Sequence, residues 1–171
     1  HQKMACGDPK AAARIALLDP TLTLSQPRRV TACTGLDAVT HAVETAVTLR
    51  RNELSWLCSR EAFRLTMRNL ETVLERPDDL EARAGMQLGA AYAGMAIELS
   101  MLGAAHAAAN PLTARFGLVH GQAVSMMLPH VVRFNGQDAT AREAYRELMA
   151  YAGEPSGGAR PEAALAARLE A

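Results

Sequence analysis

A chain of 171 residues can bury one real core, and its formal net charge of zero gives no basic excess with which to hold nucleic acid or an anionic membrane surface. Hydrophobic residues make up 49% but aromatics only 4%, so the core must be aliphatic, built of Ala, Leu, Val and Met, a composition that suits closely packed helices. No apolar run reaches the roughly 18 residues of a membrane-spanning helix, no secretory signal opens the chain, and Cys6, Cys33 and Cys58 form neither a disulfide framework nor a zinc ribbon, which fits a reducing cytoplasm.

In chain order, Lys3 to Cys6 and Ala13 to Leu18 read as short strands or extended segments, the second closed by the Asp19-Pro20 turn signal. Gln26-Pro27 can open a helix. The helical pattern runs from Pro27 to Leu49, with Thr34-Gly35 as a point of bending. Ala38, Ala42, Val43 and Ala46 form its apolar stripe. Asp37, His41 and Glu44 follow one another at i, i+4 and i+7 on one face. Arg50-Arg51-Asn52 is a polar connection, and Arg28-Arg29 and Arg50-Arg51 read as solvated faces.

Glu53 to Glu75 is a long amphipathic helix, ended by Arg76-Pro77, with Asp78 or Asp79 available to cap the next. Leu80 to Leu102 continues as a helix that is nearly apolar all round from Leu88 onward. It is therefore the expected buried central helix. Gly85, Gly89 and Gly94 each cost about 1 kcal/mol of helix propensity, which makes sense where another helix or a ligand comes close.

Gly103 to Arg115 holds His106 and Asn110. Pro111 disfavours the helical region at Asn110 and predicts a bend there. Phe116-Gly117 is a loop leading to His120. Gly121 to Met127 is a short helix stopped near Pro129-His130, with Met126-Met127 as core and His130 structural. Asp138 to Tyr151 is an amphipathic helix, Glu154 to Gly158 a flexible loop, and Pro161 to Ala171 a last helix.

Each histidine alone is weak evidence, since a lone His in an apolar stretch is more often a satisfied core residue. The combination carries more. One carboxylate and three imidazoles, from Asp37, His41, His106 and His120, form a donor set that suits a divalent transition metal. Burying those groups together without an ion leaves polar atoms to satisfy at several kcal/mol. Glu44 reads either as a residue orienting His41 or as a plain surface carboxylate. No Ser or Cys has a nucleophile-elbow context, and no Gly-rich phosphate loop occurs; Gly157-Gly158 follows no strand.

Thr34-Gly35-Leu36-Asp37-Ala38-Val39-Thr40-His41-Ala42-Val43-Glu44 resembles the signature of the iron-containing alcohol dehydrogenase family. So do Gly103-Ala104-Ala105-His106 through Pro111-Leu112, His120-Gly121-Gln122-Ala123-Val124 and Leu128-Pro129-His130-Val131. Lys3-Met4 and Leu17-Leu18-Asp19-Pro20 also have counterparts, so the likeness covers about residues 1 to 135 in order.

The resemblance implies a mainly α chain, the helical C-terminal domain of a dehydroquinate synthase-like two-domain fold, with short strands at the N-terminal margin. Residues 1–25 would be the end of the nucleotide-binding domain and the connection between domains. Residues 26–171 would be the helical metal-binding domain, incomplete at its C-terminus. The Rossmann-like domain is expected upstream, outside this chain, so that the fragment alone is not a competent dehydrogenase.

The implied metal ligands are Asp37, His41, His106 and His120, binding Fe(II), or Zn(II) or another divalent ion. Lys3, Leu22 and His120 fall where the family meets its NAD or NADP. Many members carry a second His where this chain has Asn110, whose amide can hydrogen-bond but cannot exchange a proton near neutral pH. The implied partners are an alcohol or carbonyl substrate and a second copy in a homodimer, with no nucleic acid and no membrane. Two alternatives stay open: a glycerol dehydrogenase or dehydroquinate synthase type of enzyme on the same scaffold, and a non-catalytic helical fragment whose histidines are core.

Overall fold

The computed structural model describes Asp8, Lys10 and residues 13–171. Among them the regular structure is helical: a 3-10 turn at Pro20–Thr23, then α1 (Arg28–Thr45), α2 (Glu53–Glu75), α3 (Leu80–Ser100), α4 (Ala104–Phe116), α5 (His120–Asn135), α6 (Ala139–Tyr151) and α7 (Pro161–Glu170). The expected segment Lys3 to Cys6 lies outside the described residues. Ala13 to Leu18 is irregular and forms no strand.

The helix starts follow from local chemistry. Asn52 accepts from the Ser55 amide while Ser55 Oγ accepts from the Asn52 amide, a reciprocal capping box that opens α2. Asp79 and Asp138 cap α3 and α6 in the simpler way, accepting from Ala82 N and Ala141 N. Asp19 does the same for the 3-10 turn, accepting from Thr21 N at 2.9 Å. The turn is fastened to α3: Arg83 Nη1 donates to Thr23 Oγ1 and Gln87 Nε2 to Asp19 O, each at 3.3 Å.

The central helix is α1, not α3. It packs against α2, α3 and α5 and also touches α4. Its stripe Val39, Ala42, Val43 and Ala46 is fully buried with Phe63 and Met67 of α2, Tyr145 and Leu148 of α6 and Leu165 of α7. Its polar residues can be buried because their hydroxyls are satisfied locally. Thr40 Oγ1 donates to Leu36 O at 2.8 Å and Thr45 Oγ1 to His41 O at 2.7 Å. Tyr145, in the same core, accepts a hydrogen bond from Asn135 Nδ2, and burial pushes its phenol up to about 12.

By contrast, α3 keeps Leu88 40% and Met95 53% exposed. Apart from Arg83, its buried residues are small, among them Gly89, Ala93 and Ala96, and let it lie close on α2. A Cβ on Gly85 would overlap the Asn69 side chain, and one on Gly89 would stand 2.9 Å from Thr66 Cγ2. Gly94 has nothing within 4 Å, so no close approach explains it. No single helix among the described residues is long and apolar enough to cross a membrane; α3 and α4 qualify together only as a pair bent by 105°.

Three expected interruptions are absent. Thr34-Gly35 lies within α1, and the missing Cβ of Gly35 makes room for Leu70 Cδ1. Pro111 lies inside α4 and Pro129 inside α5, so neither Asn110 nor Met127 ends its helix. Proline removes one intrahelical bond. In α4 the carbonyl deprived of its partner belongs to Ala107, on the exposed side. Arg51 is not simply solvated: it is half-buried with its guanidinium 4.4 Å from the centre of the Trp56 ring. Met126 is 54% exposed, Met127 packs on the core, and His130 is exposed.

Candidate metal centre

Three helices bring the polar cluster together. Asp37 and His41 stand one turn apart on α1, His106 is in the first turn of α4, and His120 opens α5. Asp37 Oδ1 is the hub. The Nε2 atoms of His106, His41 and His120 lie 3.3, 3.4 and 3.7 Å from it. The rings of His41 and His106 are stacked, with centroids 4.8 Å apart and planes 21° from parallel, and the His120 ring stands 5.2 Å from that of His106.

The attachment of α5 is a backbone contact. A Cβ on Gly121 would overlap the carbonyl oxygen of Cys33, so only glycine lets this turn lie against α1 with His120 next to it. The attachment of α4 is polar. Its N-cap, Gly103, supplies no side-chain bond. The carboxylate of Glu44, only 2% exposed, supplies it instead: Oε1 accepts from Ala105 N at 2.5 Å, and Oε2 lies 2.5 Å from His106 Nδ1. Glu44 therefore serves His106, not His41, and it is no surface carboxylate. Its spacing from Asp37 along α1 placed it on the right face, but its partner lies 62 positions away, beyond the reach of any local pattern.

The electrostatics follow from this packing. Burial alone would raise Asp37, yet the hydrogen bond from His106 and the three imidazoles around it hold its carboxyl below the usual carboxylate range. Burial alone would lower His106, yet Asp37 and Glu44 on its two ring nitrogens outweigh that and hold it above the ordinary histidine value.

The donor set fits a metal. Donors bound at about 2.1 Å around a tetrahedral centre lie about 3.4 Å from one another. The distances from Asp37 to His41 and His106 fall there, and donor atoms of these three residues all lie within 4.8 Å of one another; His120, 3.7 Å from Asp37, stands outside that closest group. Imidazole with carboxylate suits Fe(II) or Zn(II).

The other expected site residues are more dispersed. Asn110 is exposed on α4, one turn beyond His106. Leu22 is 77% exposed on the 3-10 turn. Lys3 lies outside the described residues.

Residues 31–171 match the Fe-containing alcohol dehydrogenase family, C-terminal. The chain is 40% identical over 136 residues to aldehyde-alcohol dehydrogenase 2 of Entamoeba histolytica, covering 80% of this chain and 15% of that protein. The iron-containing alcohol dehydrogenase of Thermococcus thioreducens superposes with a TM-score of 0.82 at 29% identity, over 95% of this chain and 43% of that one. The sulfoacetaldehyde reductase of Bifidobacterium kashiwanohense, solved with NAD+, superposes with a TM-score of 0.78 at 28% identity, over 89% and 39%. The chain thus spans well under half the length of each of these relatives. With the family match running through α1, α4 and α5 and every residue of the polar cluster, the chain belongs to the Fe-containing alcohol dehydrogenase family and corresponds to its C-terminal helical region.

Proposed function

We propose that Asp37, His41, His106 and His120 hold a divalent metal, Fe(II) in the first place and Zn(II) as its competitor. We further propose that the whole protein interconverts an alcohol and an aldehyde or ketone by hydride exchange with NAD or NADP. The observation that carries the reading is the convergence of three Nε2 atoms on one oxygen of Asp37. When bound, the ion would act as a Lewis acid toward the substrate oxygen.

The residues of this chain then have separable tasks. Asp37 brings the one carboxylate to a set otherwise made of imidazoles. His41 shares its rigid helix, so the spacing of these two donors is set by one turn of α1. His106 and His120 close the set from α4 and α5. Asn110 can hydrogen-bond a substrate or a water but cannot relay a proton. Leu22 is exposed and available to the nucleotide, and Lys3 and His120 complete the cofactor contacts of this reading.

The domain division belongs to the proposal too. Residues 1–25 connect to a nucleotide-binding domain and residues 26–171 form the metal-binding one. The chain has no Gly-rich phosphate loop, so the cradle for the nucleotide phosphates is assigned to a part of the protein outside these residues, with Lys3, Leu22 and His120 adding contacts from this one. The NAD+ complex of the Bifidobacterium relative supports the choice of cofactor class. The free Cys33 and Cys58 support a reducing compartment, the cytoplasm.

Metal analysis tests the site directly. The chain is expected to retain one ion per molecule, to lose thermal stability with chelator, and to lose the ion on Asp37→Ala or His106→Ala. Full metal content in either variant would sink the assignment. Turnover of the full-length protein with primary alcohols against cyclic polyols tests the substrate class.

A further inference from the structure

Glu44 lies behind the proposed ligand set, against His106 Nδ1 and on the far side of that ring from the Nε2 atom that faces Asp37. It is among the most thoroughly buried polar residues of α1. Both of its oxygens are engaged, Oε1 by the Ala105 amide and Oε2 by His106 Nδ1, each at 2.5 Å. An ionised carboxylate brings no hydrogen to either contact, so the ring must supply the proton, and it must sit on Nδ1. Where an ion takes the place of the Nε2 proton, a ring whose remaining proton is on Nδ1 presents its lone pair from Nε2, the atom that faces Asp37 Oδ1. Gly103 keeps this arrangement open, because a Cβ there would stand 2.9 Å from Glu44 Oε1.

We propose that Glu44 is a positioning residue for the metal centre, holding His106 in the tautomer whose Nε2 is free to bind the ion. The proposal rests on the ligand reading given above. Glu44 acts through His106 and through the α4 N-terminus at once. It ties both to the helix that carries Asp37 and His41. Three of the four proposed ligands are thereby referred to one rigid element, and the carboxylate behind His106 makes that ring a better donor.

A mere helix cap would explain the burial equally well, and Glu44→Gln separates the two roles. The Ala105 amide needs an acceptor, so the side-chain carbonyl of the glutamine stays there and its NH2 turns to His106. That NH2 can only donate. The ring must then accept at Nδ1 and carry its proton on Nε2, where the metal would bind. The cap survives while the tautomer is reversed.

The experiment titrates Zn(II) alone into the wild-type chain and into Glu44→Gln against a competing chelator, with circular dichroism on both. Unchanged helix content with zinc affinity lower by about 10- to 100-fold is the expected result. Affinity within about twofold of wild type, with zinc bound by wild type, overturns this proposal alone. A wild-type chain that takes up no zinc overturns the ligand reading and this proposal together. If Glu44→Gln loses helix content, nitrogen-15 spectra of the zinc-loaded wild type decide. A His106 proton on Nδ1 with Nε2 on the metal supports the proposal, and the reverse overturns it.

Discussion

The first turns of α4 and α5 approach α1 from their own directions, and each delivers one histidine, but they are held there by different physics. At α4 the contact is polar, with one buried carboxylate receiving a backbone N–H and pairing with a ring nitrogen of His106. At α5 it is steric, with the backbone at Gly121 lying directly on the Cys33 carbonyl. A polar attachment is directional and can reset a tautomer without moving the backbone. A backbone contact has no such freedom, and any added volume must move a whole helix. The two histidines should therefore fail in different ways.

Gly121→Ala breaks the steric side and should have the largest effect. The new Cβ meets backbone, which cannot rotate away. A loss of about 3 kcal/mol in stability is expected from overpacking, together with loss of metal, in urea unfolding and metal analysis. A variant with wild-type stability would mean that α5 is not held by this contact.

Gly103→Ala probes the polar side more gently. Its Cβ meets a side-chain oxygen at 2.9 Å, and Glu44 can give way. The expected cost is about 1 kcal/mol, with metal affinity falling more than stability does. If both variants lost stability equally, the contrast between the two attachments would collapse.

A smaller effect is expected from pH on chelator-treated protein. Asp37 is held below its ordinary 3.8, so its contribution is present above that value and fades as pH falls through the lowered one. His106 is held above its ordinary 6.5, so its contribution is present below that value and fades as pH rises through the raised one. Stability without metal should therefore peak between about pH 4 and 6.5. Zinc-loaded protein should show the opposite alkaline trend, because protons no longer compete for the histidine donors. Denaturation midpoints across pH with and without zinc check the inversion.

The smallest effect belongs to Asn110→Ala. Asn110 is on α4 but exposed, outside the Glu44 attachment. Its removal should leave melting temperature and metal affinity unchanged while lowering turnover of the full-length protein in the proposed reaction. A fall in metal affinity would place it within the attachment of α4.

Much of this arrangement is legible in the chain itself. The pattern of α2 marks Glu53 to Glu75 correctly at both ends, because a capping box opens it and Arg76-Pro77 closes it. The donors Asp37 and His41 share a face because one turn of helix puts them there. What local pattern does not carry is long-range packing. Apolar content singles out α3 for the centre, yet α1 takes that place because its threonine hydroxyls are satisfied within the helix and its alanines let neighbours approach. Prolines 111 and 129 signal breaks, yet a packed helix tolerates one missing bond at each. Glu44 shows the same limit in one residue: its place on α1 is local, its partner is not.

The 3-10 turn at Pro20–Thr23 has a mechanical consequence. Arg83 and Gln87 pin it to α3, ahead of the point where the chain enters α1 at Arg28. A load applied to the chain before Asp19 meets the α3 anchor before it reaches residues 24–27. It is therefore shared among α3 and the helices packed on it, α1 included, and is not delivered to the first turn of α1 alone.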